Sequence, residues 1–134
     1  MMKYPLNSGI PCRKHRCNLC CIETEMPLSR SDIKRILRIG YRLKDFAIKT
    51  PEGWQLKNHF NKCVFLGKDG CKIYPYRPEG CRLYPLVYDE NLGIVKFDDI
   101  CPYNDEFKMT KRDVQRLSDL LLKLLKESKE DSIL

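Results

Sequence analysis

Long hydrophobic runs are missing from this 134-residue sequence. No stretch approaches the roughly 18 consecutive apolar residues of a membrane-spanning helix, and the segment Met1–Ile10 lacks the apolar run of a secretory signal. We therefore expect a cytoplasmic protein that does not enter a membrane. Thiols stay reduced in that compartment, so a cysteine cluster there more often means metal or redox chemistry than disulfides.

Other features are scarce as well. The chain has neither a phosphate-binding glycine loop nor a dinucleotide-binding fingerprint, so the sequence indicates no site for an organic cofactor. Alanine occurs once, at Ala47, while 32% of the residues are charged. We expect a modest apolar core, and a small domain of this kind gains stability from a covalent or metal cross-link.

Cysteine is the residue that the sequence has in excess. A predicted helix near Ser29 separates two groups of four cysteines. The first group is Cys12, Cys17, Cys20 and Cys21, and the second is Cys63, Cys71, Cys81 and Cys101. We predict that these cysteines bind metal, with a disulfide framework as the alternative.

The spacing in the first group favours metal. Cys17 and Cys20 form a C-x2-C pair, whose turn lets both thiolates reach one metal while backbone N–H groups point at the sulfurs. Cys20 and Cys21 are adjacent, and neighbouring side chains rarely chelate one ion comfortably. One of these two cysteines therefore faces a different iron or metal, bonds a second site or stays free.

The formal net charge of +7 has two interpretations. If all eight cysteines were thiolates holding two zinc ions, their eight negative charges and the four positive charges of the ions would leave +3. The basic run Arg13–Arg16 lies between two cysteines, and nearby cations lower the pKa of a thiol. We interpret this run as a counterweight to thiolates. The alternative is a contact with nucleic acid, although the run contains no base-stacking aromatic residue.

The sequence predicts one domain over residues 1–134, with its core at about 10–125. Ser29 and Asp32 resemble a helix-capping pair, as do Thr110 and Asp113 before a C-terminal helix at about 110–127. The apolar face of the first helix is predicted to contain Ile33, Ile36 and Leu37. The apolar stripe of the last helix is predicted to contain Val114, Leu117, Leu121, Leu124 and Leu125. We expect that stripe to cover the domain's own core, and residues 126–134 to be frayed.

Shorter elements are predicted between these helices. A second helical piece is expected around Leu43–Ile48, followed by a turn at TPEG. The GKDG sequence at 67–70 predicts a hairpin turn, and Leu86–Phe97 predicts two strands around a turn. The expected fold is α+β: a small, irregular, metal-stabilised domain with two main helices and short β-hairpins.

Two segments, PCRKHRCNLCC at 11–21 and CKIYPYRPEGCRLYP at 71–85, resemble the YkgJ-type cysteine-cluster family, which is described as a zinc- or iron-chelating domain. The resemblance extends from Cys12 to about Cys101, although the gap between Cys12 and Cys17 is wider than the family form. The matching residues other than cysteine are Ile73, Tyr74, Arg77, Pro78, Arg82, Tyr84 and Pro85. The resemblance implies a metal-chelating domain that occurs alone or in larger proteins, including relatives of flagellin lysine methylases, and it implies no defined reaction.

Zinc and an iron–sulfur cluster both suit this set of ligands. Structural zinc sites usually use two C-x2-C knuckles, and only one is present here. An iron–sulfur cluster tolerates scattered cysteines because each cysteine addresses its own iron. Cys101 is also followed by Pro102, as in bacterial ferredoxin motifs. The sequence therefore favours a cluster of the 4Fe-4S type slightly over zinc.

Side chains other than cysteine are candidates for the surroundings of the metal. Arg77 and Arg82 flank Cys81, and their guanidinium groups suit hydrogen bonds to cluster sulfides or to a substrate anion. The alternative is a salt bridge or a hydrogen bond to loop carbonyls. Tyr74 is a candidate hydroxyl donor, with packing as the alternative. The two histidines, at 15 and 59, are weaker candidates because the thiolates already suffice.

These features predict a metal-binding protein with a redox, metal-handling or modification-assisting role, alone or with a protein partner. Enzymatic activity stays open, either as an iron–sulfur oxidoreductase or as an accessory to a modifying enzyme, and no catalytic residue is assigned. The alternative is a zinc-stabilised module that binds nucleic acid or protein without catalysis. A hydrolase with a cysteine nucleophile is disfavoured, because no set of cysteine, histidine and carboxylate stands apart from the cluster.

Overall fold

The computed structural model describes residues 3–130. Within this range the α-helices are α1 (Ile10–Lys14), α2 (Arg30–Arg38), α3 (Leu43–Phe46), α4 (Glu79–Leu83) and α5 (Lys111–Lys129). The strands are β1 (Tyr4–Pro5), β2 (Ala47–Thr50), β3 (Gly53–Leu56), β4 (Asn58–His59), β5 (Lys62–Cys63), β6 (Leu66–Gly67), β7 (Gly70–Cys71), β8 (Leu86–Asp89), β9 (Ile94–Phe97) and β10 (Phe107–Lys108). The predicted α+β class, with two main helices and short hairpins, is confirmed.

Both main helices begin at a capping box. The Ser29 hydroxyl accepts a hydrogen bond from the backbone N–H of Asp32, and the Asp32 carboxylate accepts one from the N–H of Ser29. Thr110 and Asp113 make the same reciprocal pair at the start of α5. These bonds satisfy backbone donors that a helix leaves without partners at its start. Both predicted caps are therefore confirmed.

The apolar faces of α2 and α5 differ in part from the predicted ones. Helix α2 buries Ile33 and Ile36 completely but leaves Leu37 41% exposed. Helix α5 buries Leu117 and Leu120, whereas Leu125 is 53% exposed. The predicted stripe was drawn too far toward one side of α5, because the helix turns the face that includes Leu120 toward the core.

The strands form separate two-stranded ladders. Strands β2 and β3 are antiparallel across the predicted TPEG turn, and β8 and β9 form the predicted hairpin within Leu86–Phe97. The GKDG turn joins β6 to β7, as predicted. The predicted helix Leu43–Ile48 is right only as far as Phe46, since Ala47 pairs with Leu56 in the β2–β3 ladder.

The start of the described chain pairs with the segment before α5 in a ladder that the sequence did not indicate. Strand β1 runs parallel to β10, with Tyr4 opposite Phe107. Parallel strands of two residues carry too few side chains to show an alternating pattern, so periodicity could not reveal them. This ladder ties the segment before α1 to the segment before α5.

The apolar interior consists of two clusters. The first core contains buried residues of the middle of the chain: Leu28, Ile33, Ile36, Phe46, Ala47, Leu56, Cys63, Phe65 and Ile73. The second core contains buried residues from both ends and from the β8 region: Leu6, Leu83, Leu86, Cys101, Phe107, Leu117 and Leu120. Each main helix serves a different core, α2 the first and α5 the second.

Helix α5 also reaches the first half of the molecule. Its Glu127 carboxylate accepts a hydrogen bond from the backbone N–H of Arg30 at the start of α2, at 2.9 Å. Glu130 forms an ion pair with the Arg30 guanidinium at 2.7 Å. The predicted fraying is therefore wrong for residues 126–129, which are helical and linked to α2, while residues 131–134 lie outside the described range. No helix within residues 3–130 has the length and apolar character to cross a membrane.

Candidate metal centre

All eight cysteines lie in the described part of the chain, and each is a free thiol. The alternative of a disulfide framework therefore finds no pair in this structure. The cysteines differ in environment: Cys63 and Cys101 are buried, each at 6% exposure, whereas Cys20 is exposed. Free thiols with this range of burial are suitable soft donors for zinc or for an iron–sulfur cluster.

The cysteines divide between the two cores. Cys63 is part of the first core, and three others pack against that core: Cys21, Cys71 and Cys81. Cys101 is part of the second core, and Cys12 packs against it. Cys17 and Cys20 lie on the segment that connects Cys12 to Cys21. This division does not follow the two groups seen in the sequence, because Cys21 joins the later cysteines and Cys101 joins the first ones.

The wide gap between Cys12 and Cys17 is closed by the end of α1. The backbone N–H of Cys17 donates to the carbonyl of Cys12 at 2.8 Å, and the N–H of Arg16 donates to the carbonyl of Arg13 at 3.2 Å. Arg16 is left-handed, with a φ of 52°. These features define a Schellman motif, which brings the residues at its two ends side by side. Four intervening residues therefore keep Cys12 close to Cys17.

A second backbone connection places Cys21 beside Cys63. Ile22 forms an antiparallel bridge with Lys62, and the N–H of Glu23 donates to the carbonyl of Asn61 at 2.7 Å. The chain after Cys21 therefore runs along the strand that contains Cys63. These two cysteines are far apart in the sequence but adjacent along this contact. In the next hairpin, Cys71 pairs with Leu66 across the β6–β7 ladder.

Three of the later cysteines accept hydrogen bonds from the backbone two residues ahead. Burial raises the pKa of Cys63, and the N–H groups of Phe65 and Leu66 act against that rise. The pKa of Cys71 is likewise raised by burial and lowered by the N–H of Ile73. Such N–H···S bonds stabilise a thiolate and orient it toward a metal.

Cys101 has the same arrangement in the second core. Burial raises the pKa of its thiol, and the backbone N–H of Tyr103 lowers it. The negative charges of the Cys17 and Cys20 thiolates raise it further. The local backbone at Cys101 therefore resembles that at Cys63 and Cys71, although Cys101 lies in a different core.

The adjacent pair Cys20 and Cys21 shares a hydrogen bond. That bond lowers the pKa of the Cys20 thiol and raises the pKa of the Cys21 thiol, and burial raises the latter further. The two residues form a 3₁₀ turn together with Leu19. At this junction Cys20 therefore gives up its proton more readily than Cys21 does.

Neighbouring thiols also raise the pKa of Cys12 and of Cys81. Burial raises the pKa of the Cys12 thiol to about 11, and three thiolates add to the rise: Cys20, Cys101 and Cys17. Burial raises the pKa of Cys81, and a different set of thiolates adds to that rise: Cys20, Cys63 and Cys71. Cys20 contributes to both rises.

Helix α4, which contains Cys81, is held by α2. The Asp32 carboxylate is 1% exposed and accepts hydrogen bonds from the N–H of Glu79 at 3.0 Å and from the guanidinium of Arg35 at 2.8 Å. The sequence indicated Asp32 only as a helix cap. Its contact with Glu79 spans 47 residues of sequence, so no local pattern could reveal it.

The structure places the predicted arginines on loop carbonyls. The Arg77 guanidinium donates to the carbonyls of Tyr74 and Asn7, each at 3.0 Å. Arg82 donates to the carbonyl of Arg77 at 3.2 Å and to that of Pro75 at 3.0 Å. Burial is the main influence on the pKa of Cys12 and Cys71, and the hydrogen bond with Cys21 is the main influence on that of Cys20. The positive charge of Arg77 has a smaller effect, which lowers the pKa of all three thiols.

The two tyrosines of this segment have different surroundings. The Tyr74 ring lies between two guanidinium groups, with Arg77 at 4.1 Å and Arg13 at 5.4 Å from its centroid. Its hydroxyl is buried, faces Gly9 and makes no hydrogen bond within the described residues. The Tyr84 hydroxyl donates to the Asp98 carboxylate at 2.6 Å. Arg77 therefore acts on the charge of the cysteine region. Contact of Arg77, Arg82 and Tyr74 with a bound group stays a prediction.

The basic run Arg13–Arg16 is largely engaged with the protein itself. Lys14 forms an ion pair with Glu106 at 2.9 Å, and the His15 ring stacks on Tyr103 with its Nε2 atom 2.7 Å from the same carboxylate. The hydrogen bond from Lys14 is the main cause that holds the pKa of Glu106 below its usual value. These contacts fasten α1 to the segment after Cys101, a partnership that the sequence did not indicate.

His59 stands apart from this network. It lies on β4, is exposed and makes an edge contact with the ring of Phe60, 4.3 Å between centroids. Across residues 3–130, no three His, Cys, Asp or Glu side chains lie in the compact arrangement of a ready-made site for a single ion. Thiols are suitable ligands for a metal group. In this structure they lie on segments that backbone contacts bring together.

Comparison with known proteins agrees with this chemistry. A family model described as "CxxCxxCC: Putative zinc- or iron-chelating domain" matches residues 11–102. The match includes all eight cysteines and excludes β1, β10 and α5. No curated protein and no solved structure shows a significant match.

Proposed function

The chain belongs to the CxxCxxCC family of zinc- or iron-chelating domains, and on that premise we propose that its cysteine thiolates hold an iron–sulfur cluster. Zinc bound by the same thiolates is the second candidate. The chain's own part is to supply the ligands, to fix their direction and to limit the access of water.

The observation that carries this proposal is the set of backbone N–H···S contacts. Cys63, Cys71 and Cys101 each lie beside an N–H group two residues ahead in the chain. Hydrogen bonds to ligand sulfurs are among the protein features that set the potential of an iron–sulfur cluster. A neutral S–H group that only fills space in the core accepts hydrogen bonds weakly, so an N–H donor stabilises it little.

The environment of the sulfurs also suits a cluster. Cys63 and Cys101 are buried, and large apolar side chains such as Phe65 and Ile73 belong to the same core as Cys63. An apolar shell of this kind controls solvent access to the metal and its potential. When bound, an iron–sulfur cluster supplies one-electron transfer, so a redox or modification-assisting role follows more directly than a hydrolytic one.

Binding of nucleic acid is less well supported. The basic run that motivated that alternative is occupied by contacts within the chain, since Lys14 and His15 both bind Glu106 and Arg13 donates to the carbonyl of Ser8 at 2.8 Å. Side chains that neutralise an internal carboxylate are poorly placed to neutralise phosphates. We therefore assign this run to the stability of the cysteine region.

The test is the metal content of the full chain, purified without oxygen. Iron, zinc and acid-labile sulfide are measured on one sample together with the visible absorption spectrum. A brown protein with iron and sulfide in equal amounts supports the cluster, and a colourless protein with stoichiometric zinc supports the second candidate. A folded protein with neither metal would overturn the proposal.

A further inference from the structure

The proposed function leaves open how many centres the eight cysteines form, and the inference drawn here rests on that function. We propose that the chain holds two separate four-thiolate centres, one formed by Cys12, Cys17, Cys20 and Cys101 and the other by Cys21, Cys63, Cys71 and Cys81. This grouping crosses the order of the sequence, because the last cysteine joins the first three.

The cysteines pack in two different cores. Cys63 is buried in the first core, where Cys21, Cys71 and Cys81 pack against the same residues. Cys101 is buried in the second core, and Cys12 packs there. Four thiolates that share one centre must lie within a few ångströms of it, so cysteines embedded in different cores are poorly placed to share a centre.

Backbone contacts join the segments that contain Cys21, Cys63, Cys71 and Cys81. The bridge between Ile22 and Lys62 carries Cys21 alongside Cys63. The backbone N–H of Lys72 donates to the carbonyl of Phe65 at 2.8 Å, which folds the segment of Cys71 back onto that of Cys63. Cys81 arrives from α4, whose start is held by Asp32 of the first core's main helix. The four cysteines thus lie on segments that these contacts join around the first core. Their sulfurs, all within the described residues, do not form a compact site for a single ion, so a bound metal group would draw them together.

The other centre is assembled by different contacts. The Schellman motif at the end of α1 brings Cys12 next to Cys17, and the C-x2-C spacing adds Cys20. The carboxylate of Glu106 holds Lys14 and His15 of that turn, and Glu106 follows Cys101 by five residues. The segment of Cys101 is therefore fastened to α1 by an ion pair, a hydrogen bond and a ring stack.

The adjacent residues Cys20 and Cys21 form the border between the two centres. Neighbouring side chains rarely chelate one ion comfortably, and the division assigns one of them to each centre. The two centres would then be joined through a single peptide bond.

Native mass spectrometry of the full chain, purified without oxygen, counts the centres directly. The wild-type protein is expected to have the added mass of two equal centres, either two zinc ions or two clusters. Cys63→Ser and Cys101→Ser form a matched pair, since both residues are 6% exposed. Each variant is expected to retain one centre, half of the wild-type metal, and the double variant is expected to retain none.

The outcomes separate the two proposals. Wild-type protein with one centre, or single variants that each lose all metal while their circular dichroism matches the wild type, would overturn the division but not metal binding. Wild-type protein without metal would overturn the proposed function, and the division with it. If Cys101→Ser does not fold, Cys20→Ser replaces it, because Cys20 is exposed and is assigned to the same centre. If Cys63→Ser does not fold, Cys71→Ser replaces it, because Cys71 is less buried and is assigned to the centre of Cys63. The wild-type count decides between one centre and two in either case.

Discussion

The carboxylate of Asp32 accepts a hydrogen bond from the backbone N–H of Glu79, with 3.0 Å between Oδ1 and N. A buried side chain of α2 thereby caps α4, the helix that contains Cys81. The same carboxylate also caps its own helix and pairs with Arg35. One residue therefore connects the stability of the first core to the position of a proposed ligand.

Replacement of this carboxylate is expected to be costly. Asp32→Ala leaves two buried backbone N–H groups without a partner and removes an ion pair, so we expect a loss of about 2–4 kcal/mol in the free energy of unfolding. Asp45→Ala is the matched control, because Asp45 also pairs with an arginine three residues away but is exposed; its loss is expected to stay below about 0.5 kcal/mol. Denaturant unfolding measures both, and equal losses would contradict this account of Asp32.

The left-handed residue Arg16 offers a test of the Schellman motif. A residue with a side chain pays about 1 kcal/mol to adopt this conformation, and glycine adopts it freely. Arg16→Gly is therefore expected to stabilise the protein by about 0.5–1 kcal/mol. Arg38→Gly, in the last turn of α2, is expected to destabilise it by a similar amount. Thermal unfolding of the two variants would disagree with the assigned turn if both shifted the midpoint downward.

Gly9 has a φ of 63° and precedes α1, the helix that contains Cys12. A Cβ atom there would collide with the Tyr74 hydroxyl, whereas a Cβ at Gly40, which has a φ of 104°, meets no atom within 4 Å. Both alanine variants are destabilised by the left-handed backbone conformation. Gly9→Ala is expected to lose about 1–3 kcal/mol more of the free energy of unfolding than Gly40→Ala, because its Cβ overpacks against Tyr74. Equal shifts of the denaturation midpoint would show that Tyr74 gives way without cost.

Metal binding is expected to release protons. Burial raises the pKa of most of these thiols, that of Cys12 to about 11, so at neutral pH they hold protons that a metal must displace. The affinity for zinc should therefore rise with pH, from pH 6.5 to 8 for example, and fall toward acid. Calorimetric titration of the reduced full chain with zinc, in two buffers with different ionisation enthalpies, counts the protons. An affinity that does not change with pH would contradict thiolate ligation.

The sequence predicted the parts of this molecule that depend on local patterns. The capping boxes at Ser29 and Thr110, the GKDG turn and the β8–β9 hairpin follow from residues close together in the chain. The family resemblance likewise rests on short motifs around the cysteines. Local chemistry of this kind determines which elements form and which residues are candidate ligands.

Contacts between distant segments could not be predicted in the same way. The contact of Asp32 with Glu79, the β1–β10 ladder and the network around Glu106 join residues that are far apart in the sequence. Periodicity found most of the buried face of α5, since Leu117 is buried and Leu121 and Leu124 pack against the second core. It misplaced the edge of that face, because the position of the packing partner decides that Leu120 is buried and Leu125 exposed. The grouping of cysteines likewise depends on distant contacts. Cys21 packs in the core of the later cysteines, and Cys101 packs in the core of Cys12.

X-ray absorption at the metal edge of the anaerobically purified full chain tests the central claim most directly. If cysteine thiolates hold the metal, the first coordination shell consists of sulfur atoms, at about 2.3 Å for zinc. For an iron–sulfur cluster, a shell of iron neighbours accompanies the sulfur shell. A first shell dominated by nitrogen or oxygen atoms would contradict the account.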